Sequence, residues 1–263
     1  MLRLASVGSG SKGNATLVCS GETTLLVDCG FGAREMLARL VELDVDAADI
    51  DAILVTHEHS DHIGGVTAIS KATGAPIYAT HGSIISGKLE SARRVVEIAS
   101  DSTFAIGDID VTAVTVPHDA REPVQYIFQH ADKQVGVLTD LGTVSEHVLR
   151  AYSRCDLLLL EFNHDLEMLR RGPYPAALKR RVSGDFGHLN NQQALAMLNS
   201  LGDDLPQVVI AGHISEQNNA IDVVESLLEP MISSTDLTVI YATQSQGFDW
   251  VSPKSADDIS RVA

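Results

Sequence analysis

The 263-residue sequence predicts an α/β domain, and three observations carry that reading. Short apolar runs of strand length recur along the chain, and most end in a polar cluster. Between them lie stretches with apolar residues at helical spacing, such as 34–43, where Met36, Leu37, Leu40 and Leu43 form one stripe. No repeat, low-complexity segment or linker rich in Pro, Ser or Gly interrupts this alternation, so residues 1–263 are expected to form one domain.

Residues 2–7 and 15–19 read as strands joined by the turn Gly8-Ser9-Gly10-Ser11-Lys12-Gly13-Asn14. Such a loop can cradle phosphate through backbone N–H groups, and a plain hairpin accounts for it equally well. A strand at 23–27 ends in Asp28, a carboxylate expected to accept backbone N–H bonds from the following loop. The helix at 34–43 covers these strands. Residues 53–55, Ile-Leu-Val, form a buried strand, and 63–73 resume helical spacing.

Between those two segments stands Thr56-His57-Glu58-His59-Ser60-Asp61-His62-Ile63-Gly64-Gly65. The cluster therefore sits on a strand-to-helix turn, at the carboxyl end of a strand, where open α/β sheets carry their sites. In extended chain His57 and His59 face the same way, whereas Asp61 and His62, past the bend, face a neighbouring point. Imidazole and carboxylate suit zinc and similar cations, and this spacing suits two adjacent ions better than one. Without such partners, polar groups at this density would be costly to bury.

Further along, a strand is expected at 76–79 and a mostly helical, polar stretch at 81–98, with His81 at a helix start or on the surface. Residues 108–116 alternate as a strand, and His118 just beyond is a candidate ligand. Paired strands at 124–129 and 134–138 lead to Asp140, whose two oxygens can bridge cations or cap a helix beginning near Val144. The leucine-rich strand 155–161 ends in Glu161, expected to orient a histidine by hydrogen bonding. His164 is expected near the site without being a ligand. Arg170, Arg171, Lys179, Arg180 and Arg181 form the main basic cluster, partly on a helix at 176–182, and are candidate phosphate-backbone contacts. His188 precedes a helix that runs to about residue 200, with Ala194, Leu195 and Leu198 inward, and His213 follows a strand at 208–211. A helix at 221–228, a last strand at 237–241 and a loose polar tail from Ser252 complete the chain.

Hydrophobic residues make up 44% of the chain, and 19 basic against 35 acidic side chains leave a formal charge of −16. Such a surface repels nucleic acid unless cations gather locally. Cys19, Cys29 and Cys155 are scattered in or beside apolar runs, without Cys-x-x-Cys spacing, as reduced core residues. No apolar stretch reaches the roughly 18 residues of a membrane span. Met1-Leu2-Arg3 enters a strand without a signal peptide, so a cytoplasmic location is expected.

His57-x-His59-x-Asp61-His62 after a hydrophobic strand resembles the signature of the metallo-β-lactamase fold superfamily. The opening LASVGSGSKGNATLV, the stretch LLVDCG and the later GHL and HISEQNN are similar to its WalJ/YycJ-type exonuclease branch, related to RNase Z, over about residues 2–250. The resemblance implies a four-layer αββα sandwich with its site along one edge, where the sheets meet. It also implies two divalent metal ions, zinc or manganese. His57, His59 and His118 would hold one, Asp61, His62 and His213 the other, and Asp140 would bridge them. It makes Asp28 a support residue and gives His213 to a metal and His188 to catalysis, jobs that the residues alone do not tell apart. The family patterns GHLSN and HLS read GHLNN and HIS here, through Asn190 and Ile214, which leaves the ligands intact and alters loop contacts.

The implied activity is that of a metal-dependent phosphodiesterase, a DNA exonuclease, in which a hydroxide bridging the two ions attacks phosphorus. Asp61 would orient it, and His188, steadied by Glu161, would protonate the leaving oxygen. The same metals would also serve a small cyclic or linear phosphodiester, which the acidic surface favours. A thioester or lactam carbonyl is the other alternative, and it needs neither an acid at His188 nor a basic strip.

Overall fold

The structure, a computed structural model, describes residues 1–253, so the expected loose tail lies outside the described residues beyond Pro253. Strands β1 (Arg3–Gly8), β2 (Ala15–Cys19) and β3 (Thr24–Val27) run antiparallel. Strands β4 (Ala52–Leu54), β5 (Ile77–Thr80) and β6 (Val95–Ile98) then add in parallel. A second sheet repeats the scheme. Strands β7 (Thr103–Ile106), β8 (Ile109–Thr115), β9 (Val124–His130) and β10 (Lys133–Leu138) are antiparallel. Strands β11 (Leu157–Glu161), β12 (Val208–Gly212) and β13 (Thr238–Tyr241) continue in parallel. Strand β14 (Phe248–Val251) returns to pair antiparallel with β1, giving seven strands in each sheet.

The two-residue period of a strand sorts side chains between layers. In β11, Leu157 and Leu159 enter the core between the sheets, with Leu4, Val18, Leu25 and Leu54 opposite. Leu158 and Leu160 enter a second core on the outer face. Strands buried on both faces in this way need covering helices. On the first sheet these are α1 (Ala33–Glu42) and α3 (Val66–Thr73), which follows the single turn α2 (Ser60–Ile63) and packs Val66 and Ile69 beside Met36 and Leu40. The single turn α4 (His81–Ile84) follows β5. On the second sheet, α5 (Glu146–Tyr152) contributes Val148 and Tyr152. Helices α6 (Leu166–Arg171) and α7 (Ala176–Val182) come next in the chain. Helix α8 (Asn191–Leu201) supplies Ala194 and Leu198, and α9 (Ile221–Ser234) supplies Val224 and Leu228. The result is the expected order of helix, sheet, sheet, helix.

Several elements depart from the sequence reading. The stretch 81–98 is helical only over α4, and its end is strand β6, as the β-branched Val95, Val96 and Ile98 favour. Strands β7 and β14 were not expected: they are defined by antiparallel pairing with β8 and β1. Helix α9 runs on through Pro230 to Ser234. Asn190 caps α8, accepting the Gln193 N–H at 3.0 Å while Gln193 accepts the Asn190 N–H at 3.0 Å. The Ser-to-Asn departure from the family pattern therefore keeps a good capping residue. All three cysteines are free and buried, and burial pushes the thiols of Cys29 and Cys155 up to about 12. No helix among the described residues is long and apolar enough to cross a membrane.

Across the central core, the buried Tyr126 of β9 donates its hydroxyl to the Val55 carbonyl at 2.7 Å, tying the two sheets together just before Thr56. Tyr126→Phe would leave that carbonyl unpaired in the interior, at a cost of about 1–2 kcal/mol. In a thermal unfolding scan we expect Tm to fall by roughly 2–8 °C. An unchanged Tm would show that the bond carries no weight.

Candidate metal centre

Strands of both sheets end at one edge, and their polar terminal residues meet there. Asp28 follows β3, the 57–62 turn follows β4, His118 follows β8, Asp140 follows β10, Glu161 ends β11 and His213 follows β12. The backbone is left-handed at Asp28, Asp140 and His213, with φ of 59°, 55° and 52°. That conformation is uncommon for His and persists only where its surroundings impose it. The metal-motif turn is clamped from the side by the Asp28–Phe31 loop. Cys29 N–H donates to the His62 carbonyl at 2.7 Å, and Gly65 N–H donates to the Cys29 carbonyl at 2.7 Å. A side chain on Gly30 would overlap the Asp61 carbonyl, and one on Gly65 that of Phe31, so both positions require glycine.

Hydrogen bonding settles where the protons sit. Asp28 Oδ1 accepts the Thr56 N–H at 2.8 Å, and Oδ2 accepts the Thr56 hydroxyl at 2.7 Å and faces His62 Nδ1 at 2.8 Å. The hydroxyl spends its one proton on Asp28. In the 2.9 Å contact with His57, it is therefore Nδ1 of the imidazole that donates. Neutral His57 is left with a bare lone pair on Nε2, an atom buried without a hydrogen-bond partner. His118 Nδ1 lies 3.0 Å from the Gly187 carbonyl, which can only accept, so its Nε2 is the bare nitrogen facing His59 Nδ1 at 3.2 Å. His213 Nδ1 lies 2.7 Å from Glu161 Oε1, and its Nε2 is also buried and unpartnered. Asp140 Oδ2 is 3.2 Å from His62 Nε2 without hydrogen-bond geometry.

Lone pairs converging in a buried space are costly unless a cation joins them. The donors are nitrogen and oxygen, as borderline and hard divalent ions prefer, and each histidine above spends its other nitrogen on an acceptor that holds the ring. On this evidence the residues fit a divalent metal.

Four groups of side chains bring ligand atoms within 4.8 Å of one another. They are His57, His59 and His118; Asp61, His62 and His213; Asp140 with His57 and His62; and Asp140, Glu161, His188 and His213. Asp140 thus stands with one member of each of the first two. Glu161 reaches two histidines where one was expected, since Oε1 also lies 2.8 Å from His188 Nδ1, and Oε2 accepts the Leu189 N–H at 3.0 Å. His164 is buried, 3.3 Å from Asn163 Oδ1, and belongs to none of the four groups. His81 lies on the surface, 3.3 Å from Glu97.

Burial opposes every charge in the cluster. It lowers His57 well below the usual imidazole value, with His62 adding to the effect. At His62 the carboxylates of Asp140 and Asp28 outweigh burial and raise it. At Glu161 burial loses to His188 and His213, which hold the carboxyl at about 2, while Glu161 in turn overcomes burial at His188 and lifts it to about 9. Positive charge near these buried carboxylates favours their ionised form, and a divalent ion would supply it with the imidazoles neutral.

Other expectations need correction. Asp28 accepts not from the loop that follows it but from Thr56, 28 residues on. Asp140 does not cap α5, since Ser145 Oγ accepts the Val148 N–H there. The Gly-rich loop spends its N–H groups internally. Those of Ser9, Gly10, Lys12, Gly13 and Asn14 bond to Thr243, Asn14, Gln244, Gly10 and Asp61, which leaves little to cradle a phosphate. Sequence reasoning also missed Asp119 and Asn14. Asp119 Oδ1 lies 3.6 Å from His118 Nε2 and 3.8 Å from His59 Nε2, and Asn14 Nδ2 lies 3.1 Å from His62 Nε2. Adjacency to His118 was a usable signal for Asp119; nothing in the sequence marks Asn14.

A helix-flanked double sheet with such His and Asp groups along one edge defines the metallo-β-lactamase fold, and with it a metal-dependent hydrolase. Residues 23–214 match the family model of the β-lactamase superfamily domain, and the chain belongs to that family. It is 36% identical over 242 residues to exodeoxyribonuclease WalJ of Streptococcus pneumoniae serotype 2 (strain D39 / NCTC 7466), with 89% of each chain covered. It is 35% identical over 225 residues to exodeoxyribonuclease YycJ of Bacillus anthracis, covering 83% of this chain and 84% of that one. The solved metallo-β-lactamase fold protein YhfI from Bacillus subtilis aligns with a TM-score of 0.73 at 19% identity, covering 96% of this chain and 100% of that one.

Asp28→Ala removes the acceptor that holds Thr56 and His62. It should weaken metal binding about 10–100-fold, read as metal per chain by elemental analysis after dialysis against a buffered zinc series. Wild-type occupancy across the series would remove Asp28 from the support of the site.

Proposed function

We propose that the chain is one hydrolase domain, a dinuclear metal-dependent phosphodiesterase that acts in the cytoplasm as an exonuclease on DNA. The observation that carries this reading is the pair of three-residue groups with Asp140 between them, beside a histidine that Glu161 holds. The near full-length similarity to proteins named exodeoxyribonucleases supports the substrate. In this reading His57, His59 and His118 would hold one ion and Asp61, His62 and His213 the other, with Asp140 available to both groups. Zinc and manganese both suit the donor set. When bound, two divalent ions lower the pKa of water between them and offset charge developing on phosphate oxygens.

The chain's own residues do the positioning. Asp28, Gly187 and Glu161 fix the imidazoles of His62, His118 and His213 so that the ligand nitrogens need no rearrangement. Asp61 lines the cleft with His188 and His213, where its carboxylate would orient the attacking water. His188 spends Nδ1 on Glu161, which leaves Nε2 to deliver a proton to the departing oxygen.

Metal-loaded protein should shorten end-labelled linear DNA, spare circular DNA and hydrolyse bis-p-nitrophenyl phosphate. Turnover of a thioester without any phosphodiester cleavage would overturn the proposal, and turnover of bis-p-nitrophenyl phosphate with both DNAs untouched would point to a small phosphodiester. His188→Ala should lower kcat by about 10²–10⁴-fold while metal per chain holds. Loss of metal instead would make His188 a ligand.

A further inference from the structure

A chain with a formal charge of −16 holds a polyanion only where cations gather. Within the run 170–181, Arg170, Arg171 and Lys179 are spent on neighbours of their own segment, and only Arg181 is tied to the metal motif. Arg170 places Nε and Nη2 at 2.6 and 2.7 Å from the Glu167 carboxylate, Arg171 pairs with the same group, and Lys179 donates to the Arg170 carbonyl at 2.7 Å.

Arg181 and two cations from elsewhere in the chain stand against the metal motif. Lys88 Nζ donates to the Glu58 carbonyl at 2.7 Å. The Arg121 N–H donates to Glu58 Oε1 at 2.9 Å, and its guanidinium lies 4.0 Å from that oxygen. Arg181 forks onto Asp119, with Nη2 at 3.2 Å. Their anchors sit on the metal groups themselves. Glu58 lies between His57 and His59, and Asp119 is 3.6–3.8 Å from His118 and His59. The three come from well-separated parts of the chain, after α4, after His118 and within α7, and they meet on the His59 side. Arg121 and Arg181 are 58% and 54% exposed, less than Arg170 and Arg171 at 68% and 73%, so it is their place beside the metal groups that sets them apart. A guanidinium has five N–H donors in a fixed fork, and Asp119 engages two of the nitrogens of Arg181. Among the described residues, Nη1 is left without a carboxylate partner.

We propose that Lys88, Arg121 and Arg181 form the track along which the phosphates of a DNA strand approach the metal centre past His59, and that Arg170 and Arg171 take no part in it. This rests on the nuclease reading above.

The test is fluorescence anisotropy of a cleavage-resistant phosphorothioate single strand, titrated between about 50 and about 300 mM salt. Each of Lys88→Ala, Arg121→Ala and Arg181→Ala should flatten the log–log salt slope by about 0.7, and the triple variant by about 2. The triple variant should lose at least about tenfold in affinity at low salt. Arg181→Lys should restore the slope, because it keeps the charge. Arg170→Ala/Arg171→Ala should match wild type. A wild-type slope in the triple variant, at unchanged Tm and metal content, overturns the track, as does a flattened slope in the Arg170/Arg171 variant. Wild-type protein that binds no strand at all overturns the nuclease reading itself.

Discussion

The arrangement of the site depends on one buried carboxylate. Asp28 ends a strand in a strained backbone conformation and takes a main-chain N–H, a hydroxyl and an imidazole in a single constellation. Its consequence is chemical as much as structural. By consuming the only proton of Thr56, it dictates the tautomer of His57, and by facing His62 Nδ1 it dictates that of His62. Two neighbouring rings are thereby set with Nδ1 occupied, leaving Nε2 of His57 without a partner and Nε2 of His62 facing Asn14 Nδ2 at 3.1 Å. Preorganisation of this kind is what second partners of metal ligands provide.

The sandwich makes that economy possible. Each sheet opens antiparallel and continues in parallel strands whose ends gather at one edge, so groups distant in sequence meet without long loops. The cores on either face hold the strand ends rigidly, and Tyr126 bonds across the interior to the residue before Thr56. Precision at the edge is thus inherited from packing in the middle. Strand ends, unlike loop tips, place side chains reproducibly.

Much of this was legible in the sequence, for identifiable reasons. Short continuous apolar runs such as 157–160 mark buried strands, and a charged or imidazole residue at the end of such a run marks a strand end that needs a partner. What stayed hidden depends on pairing across the fold. Charge at Arg170 and Arg171 is visible in the sequence; its neutralisation by Glu167 is not. Lys88 and Arg121 look like unremarkable surface residues until Glu58 brings them together. Strands β7 and β14 gain their identity from a neighbour, through antiparallel pairing with β8 and β1.

Glu161 Oε1 lies within 2.8 Å of Nδ1 on both His188 and His213. One atom therefore answers to two masters, an anchor ring and a cleft ring, and no substitution at position 161 can adjust the basicity of one alone. In the proposed reading, a change at position 161 that alters proton delivery from His188 also alters how His213 is held, unless a second residue compensates.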